Sequence, residues 1–350
     1  MIDWNNRWKE FLLGQGAVMD DTGVRHFAEP DAHAQNRSAA NGDIVTDLSH
    51  LALIRAHGPE AAAFLQGQLS NDVNALGIGH SQLSAYCDPK GRVLALFRIF
   101  VREQAYYLQL PSVLQADTLQ RLGMFVLRAK LTLDSASRDL IRIGLSGPNA
   151  EQFLADAVPD LPSRVDESRQ HDDVNILRLA GPHARYELIA TVESAERLWP
   201  LLGARAKAVG HSAWSWLDIA AGVPTVLPGT RAEFIPQMLN LDLLNGVSFQ
   251  KGCYPGQEIV ARVQHRGRVT HRLYTAHSDA AAAPPPGSPL YDAQSDQAAG
   301  WVVDAQPAPD RGGFDLSVVA PSQFSGALHL ENGQGTRLTL QKPRYFPAVS

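Results

Sequence analysis

The sequence predicts an α+β protein of two related α+β lobes followed by a small antiparallel β-barrel. Three observations carry this. Gly58-Pro59-Glu60-Ala61-Ala62-Ala63-Phe64-Leu65 recurs as Gly147-Pro148-Asn149-Ala150-Glu151-Gln152-Phe153-Leu154, each copy after a short apolar run, Leu51–Ala56 and Leu140–Leu145. In each copy Gly-Pro opens a helix, with Pro where its missing N–H costs nothing, so two strand–turn–helix starts imply two similar halves. Third, the break Ala280-Ala281-Ala282-Ala283-Pro284-Pro285-Pro286-Gly287 lies among short β-rich runs: Gly300–Val303, Phe314–Val319, Ala327–Leu330 and Thr336–Leu340.

The elements follow in order. Residues 1–42 have little periodicity beyond a short helix at Trp8–Leu13 and read as an N-terminal arm, partly disordered over 28–42. Residues 43–270 hold the two lobes, roughly 43–135 and 136–270. Leu83–Tyr86 and Arg92–Val101 are strands around the turn Asp88-Pro89-Lys90-Gly91. Ser112–Lys130 and Ala195–Ala208 read as helices and Arg164–Val174 as a polar loop. Residues 271–350 form the barrel, with Glu331-Asn332-Gly333 as a hairpin signal and the alanine–proline run as a loop.

Composition excludes several classes. The 350 residues are 45% hydrophobic and 19% charged, as in a soluble globular protein. A net charge of −5 is too mild for a polyanion-binding protein, so direct nucleic-acid binding is not expected. No apolar run is long enough to span a bilayer, and Met1–Asn5 lacks a secretory signal, so a cytoplasmic protein without membrane partners is expected. Cys87 and Cys253, the two cysteines, form no Cys-x-x-Cys pair; no His-Glu-x-x-His helix, P-loop or Gly-x-Gly-x-x-Gly loop is present. No metal site is expected, and a cluster held by four local cysteines is excluded by count.

The densest chemistry lies in Lys251-Gly252-Cys253-Tyr254-Pro255-Gly256-Gln257-Glu258-Ile259-Val260-Ala261-Arg262. An ammonium two positions from a thiol favours the thiolate, and Pro255-Gly256 is a turn dipeptide. Two readings stand here: an exposed, electropositive thiol on a rigid turn, or a buried structural cysteine beside an ordinary loop. Lys251, Arg262, Arg266, Arg268 and Arg272 fall within 22 residues against a single acid, Glu258. That segment suits an anionic partner, or is a solvated strand edge protected by its charge.

The 251–258 segment resembles the Lys-Gly-Cys-Tyr-x-Gly-Gln-Glu motif of the folate-binding YgfZ family, within the superfamily of the glycine-cleavage T-protein, an aminomethyltransferase. Phe64–Val73, Ala85–Arg92, Trp216–Pro224, Phe234–Gln237, Asn240-Leu241 and Gly246–Phe249 also resemble family segments. The resemblance runs from about Ile44 to the C-terminus and implies a T-protein-like fold. It implies a tetrahydrofolate-binding accessory protein (the ligand being tetrahydrofolate or a derivative) that supports iron–sulfur cluster assembly or repair, with iron–sulfur client enzymes, tRNA-thiomethylating enzymes among them, or assembly factors as partners.

In that role Cys253 is the working thiol and Lys251 its activator. Gly252, Tyr254, Gly256, Gln257, Glu258 and Arg262 complete the motif. Folate contacts fall to Trp216, a stacking wall, and Asp218, a carboxylate for the pterin edge, read as two residues on one face of a strand, and to Gln237 and Arg262. Core packing for Trp216 and a cap for Asp218 are the plain alternatives. The chain departs from the aminomethyltransferases at Ala95, where they carry a catalytic Asp, and at Ala220, where they carry a pterin-binding Glu. Aminomethyl transfer is therefore disfavoured; a folate-dependent one-carbon transferase using Asp218, Asp88 or Asp72 is the alternative.

Overall fold

The protein was analysed as a computed structural model that describes residues 2–293, 297–323 and 327–346. The chain forms α1 (Asn6–Gly14), β1 (Val18–Asp20), β2 (Gly23–His26), α2 (Ala32–Asn41), β3 (Ile44–Asp47), β4 (Leu51–His57), α3 (Ala61–Gln68), β5 (Ser81–Cys87), β6 (Val93–Arg102), β7 (Ala105–Pro111), α4 (Ser112–Gly123) and β8 (Thr132–Ser135). There follow β9 (Ile141–Gly147), α5 (Ala150–Ala155), β10 (Ser168–His171), β11 (Val174–Arg178), β12 (Ala184–Ala190), α6 (Val192–Gly203), β13 (Lys207–Val209), α7 (His211–Ala221), α8 (Gln257–Arg266), β14 (His271–Ser278), β15 (Pro289–Asp292), β16 (Ala298–Pro307), β17 (Phe314–Pro321), β18 (Leu328–Leu330) and β19 (Arg337–Gln341). Among the described residues no helix is long and apolar enough to cross a membrane.

Two compact units interleave along the chain, where consecutive lobes were expected. The first comprises Met1–Phe64, Asn74–Gln82 and Arg98–Leu217; the second comprises Leu65–Val73, Leu83–Phe97 and Asp218–Ser350. The first unit holds a six-stranded sheet, order β10-β11-β12-β9-β3-β13, antiparallel except where β13 runs parallel to β3. A five-stranded sheet has the order β5-β6-β7-β4-β8. The sequence echo is real in the fold: β4–α3 starts from the five-stranded sheet and β9–α5 from the six-stranded one. Both echo glycines take a positive φ, 121° at Gly58 and 152° at Gly147, and a Cβ on either would collide with neighbouring backbone.

The N-terminal segment is not a loose arm. Asn5 caps α1 by accepting from Trp8 N at 3.0 Å. Trp8 and Leu12, one turn apart, are fully buried, and Trp8 Nε1 donates to Asp47 at 2.8 Å while its ring packs on Trp199. Removing a buried indole costs about 3–5 kcal/mol, so the segment is part of the six-stranded sheet's core. Residues 28–42 are likewise ordered into α2, capped by Asp31, whose Gln35 side chain accepts from Gly210 N at 2.6 Å. Two further readings are corrected. The 164–174 stretch contributes β10, paired in register with β11, and the two long helices end earlier than expected, at Gly123 and Gly203.

The second unit ends in a closed antiparallel barrel, order β14-β17-β16-β15-β18-β19, around Tyr274, Leu290, Val302, Leu316, Val318 and Leu338. The alanine–proline run links β14 to β15 as a loop, and Glu331–Gly333 turns β18 into β19. Residues 294–296, 324–326 and 347–350 of the expected barrel lie outside the described residues.

Candidate functional site

Three stretches of the second unit, far apart in sequence, build one platform: 65–73, the 87–92 hairpin turn and 245–257. Ser70 Oγ donates to Gly246 O at 2.7 Å and accepts from Ala85 N at 2.8 Å. Asn71 Nδ2 donates to Leu83 O and to Asn245 O, at 2.9 and 2.6 Å. Onto this frame comes Lys251, whose Nζ donates to the carbonyl oxygens of Gln66 (2.6 Å), Leu69 (2.6 Å) and Asn71 (3.0 Å). Its ammonium also lies 5.3 Å from the Tyr254 ring centroid. Burial draws its pKa down to about 8, against the opposing charge of Asp72, so at neutral pH it keeps its proton. An ammonium has three donors, and all three are committed to carbonyls. Lys251 is thus a clamp that seats the loop, its three N–H donors directed at backbone carbonyls.

The loop it seats closes on itself. Gln257 Nε2 points to the carbonyls of Lys251 and Gly252, each at 3.4 Å, and Gln257 N donates to Tyr254 O at 3.2 Å. Gly256, at φ 81°, is the N-cap of α8. A Cβ there would fall 2.5 Å from Asp88 O and 2.5 Å from Gly91 Cα, so the motif turn packs against the hairpin turn without room for a methyl. The hairpin turn is rigid in its own right: Asp88 Oδ1 accepts from Lys90 N (2.8 Å) and Arg92 N (2.9 Å). Tyr254 is buried and its hydroxyl is held above the usual phenol range by burial and then by the neighbouring Cys87. Cys87 is buried too, and burial pushes its thiol up. Cys253 and Gly252 are the residues this arrangement turns outward to solvent. Of the two readings left open for the thiol, the exposed one holds.

The other motif residues divide. Glu258 and Arg262 are both exposed on α8 and face each other at 3.6 Å, an i,i+4 pair contributing a few tenths of a kcal/mol. The basic run also divides: Arg272 is bidentate to Asp242 (2.5 and 2.9 Å) and donates to Gln237 O, so it is structural, while Arg268 is exposed. The Arg266 side chain lies outside the described residues. Gln237, expected at the folate, is fully buried and donates to Val260 O at 2.7 Å; it fastens α8 from below. Asn240, at φ 59°, exchanges two hydrogen bonds with the Leu273 backbone and so fastens β14.

Trp216 and Asp218 were read as neighbours on one face of a strand. They lie on a helix, α7, where positions two apart point roughly 200° apart around the axis. Trp216 packs in the first unit's core with Trp214 and Leu217. Asp218, half-buried, lies close enough to Asp304 of β16 to add to that residue's raised pKa, which burial pushes up to about 6. Trp216 and Asp218 are therefore not brought together as wall and carboxylate; Asp304 is the partner that sequence reasoning missed. Nothing in the local pattern of β16 marks it, because the pairing exists only once the barrel has formed. Ala95 is buried and Ala220 is exposed, and neither side chain can carry a proton.

Comparison with known proteins fits this construction. The family described as GCVT N-terminal domain matches residues 12–244. The chain is 35% identical over 244 residues to the tRNA-modifying protein YgfZ of Yersinia enterocolitica serotype O:8 / biotype 1B, covering 69% of this chain and 73% of that one. It is 34% identical over 260 residues to the protein of the same name from Yersinia pestis strain Pestoides F, covering 73% and 78%. The chain belongs to the YgfZ family. The YgfZ fold here is that of the glycine cleavage T-protein: aminomethyltransferase T from Bartonella henselae superposes with a TM-score of 0.76 over 97% of both chains, at 17% identity.

Proposed function

We propose that this YgfZ-family chain is a tetrahydrofolate-binding accessory protein of the cytoplasm that supports iron–sulfur cluster assembly or repair, and through it cluster-dependent enzymes such as those that thiomethylate tRNA. The observation that carries the proposal is the presentation of Cys253: an exposed thiol on a loop held from beneath by Lys251, Tyr254, Gln257 and Gly256. So much buried hydrogen bonding spent on one exposed cysteine fits a thiol that works, since a thiolate is both a soft ligand for iron and a nucleophile toward sulfur. The loop's rigidity would let the thiol meet a client or assembly factor without first being ordered.

Folate binding rests on family membership and on the carboxylates of Asp218 and Asp304. The amino-pyrimidinone edge of a pterin offers adjacent N–H donors, which a carboxylate accepts in pairs. Arg262, exposed on α8 and paired only weakly with Glu258, is available to the carboxylates of a folate tail. With Ala95 in place of an acidic side chain, aminomethyl transfer has no group at that position to take or give a proton.

The test uses cells lacking the native protein. Cys253→Ala should fail to restore thiomethylated nucleosides in tRNA while the folded protein accumulates normally; full restoration would overturn the working-thiol role. Calorimetric titration of tetrahydrofolate into wild type and Asp218→Asn tests the ligand separately: binding that is unaffected by Asp218→Asn would move the folate elsewhere.

A further inference from the structure

The last turn of α8 and the start of β14 border a cleft of about 430 Å³ in the second unit, away from the Cys253 loop in sequence and in lining residues. Its size falls within the range of about 300–1,000 Å³ typical of small-molecule sites. Its charge is uneven. Asp242 is the sole acidic residue in the lining, and it is consumed by the bidentate contact with Arg272. That pair sums to zero, leaving Arg268 and Lys342, with no carboxylate against either among the described residues. The C-terminal carbonyls of α8 add about half a negative charge at one edge, too little to cancel two full cations. One wall is aromatic: Phe346 lies on Tyr274, ring centroids 5.7 Å apart. Gln264 adds an exposed amide, and Ser322, whose hydroxyl donates to Val269 O at 2.8 Å, keeps lone pairs to offer.

Two uncompensated cations beside an aromatic wall are the complement of a molecule with a charged phosphate at one end and a flat ring at the other. We infer that this cleft binds a phosphate monoester of mononucleotide size, with Arg268 and Lys342 holding the phosphate and Phe346 the planar base. The site is independent of the folate and thiol readings, since none of its residues takes part in either.

The test is calorimetric titration of the full chain with adenosine 5′-monophosphate, adenosine and inorganic phosphate. Wild type should bind the monophosphate at millimolar affinity or better and adenosine far more weakly. Arg268→Ala/Lys342→Ala should weaken monophosphate binding by roughly tenfold or more with an unchanged melting temperature, because both side chains are exposed. Phe346→Leu should weaken binding of the monophosphate and leave inorganic phosphate unaffected. Failure of wild type to bind the monophosphate, equal binding of adenosine, or full binding by the double variant would each overturn the proposal.

Discussion

A Cβ placed on Gly256 would lie 2.5 Å from the Cα of Gly91. The two glycines, in motifs 165 residues apart, let the thiol-bearing turn and the hairpin turn touch through their backbones. Gly256→Ala must both adopt φ near 81° and push the hairpin away. The left-handed conformation alone costs an alanine about 1–2 kcal/mol, so the loss should exceed about 2 kcal/mol. Denaturant unfolding of wild type and variant measures it; an unchanged midpoint would show that the two turns are not in contact.

Lys251→Met separates a clamp from an activator. Three carbonyls lose their donor, at about 1–3 kcal/mol for each buried group left unsatisfied, relieved where water enters. The variant should lose about 2–4 kcal/mol of stability. If Lys251 acted only by favouring the Cys253 thiolate, stability would hold and the rate of thiol alkylation at fixed pH would fall instead.

The two cysteines should differ sharply toward an aromatic disulfide reagent. Cys253 is exposed and should react at once in the native protein, whereas Cys87 is buried with its thiol held protonated and should react only on unfolding. Mass spectrometry of the singly labelled native protein should place the label on Cys253, and a label on Cys87 would refute the arrangement.

Glu187 supplies a pH signature. It is buried, accepts from Gln109 Nε2 at 2.6 Å, and burial raises its pKa to about 7 against the pull of Arg98 and Arg142. Unfolded, it titrates near 4.5. Between these values the native state binds the more protons, so stability is present in full below pH 4.5 and falls as pH rises to 7. Glu187→Gln, which mimics the protonated form, should match wild type at pH 4.5 and exceed it at pH 7.5 by up to about 3 kcal/mol. Parallel melting curves of the two proteins across that range would contradict the assignment.

The architecture was legible where local signals repeat or punctuate. The Gly-Pro helix openings at Gly58 and Gly147, the Asp88–Gly91 turn and the barrel's short strands are all encoded within a few residues of where they act. The first helix was legible at Trp8–Leu13, but its docking was not, because only Trp8 and Leu12 face the core, too few positions to show an apolar face. α7 was mistaken for a strand because Trp216-Leu217-Asp218-Ile219 is an apolar run whose type cannot be told from periodicity alone. At the site, Cys253 and its neighbours were recognisable as a motif, but the task of Lys251 was not, because its acceptors lie about 180 positions upstream. Asp304 was invisible for a similar reason: its significance comes from Asp218, a neighbour only in the finished fold.

The length of that Lys251 connection bears on synthesis. A ribosome making this chain must emit roughly two hundred and fifty residues before the clamp has its cation, so the 66–71 carbonyls wait, solvated, through most of translation. Contacts of such long range are slow to close, and Cys253 emerges only two residues after the ammonium that positions its loop. The Cys253 loop is thus seated only once the chain near residue 70 and the chain near residue 250 have met, and chains that stop short of Lys251 lack the cation that seats it.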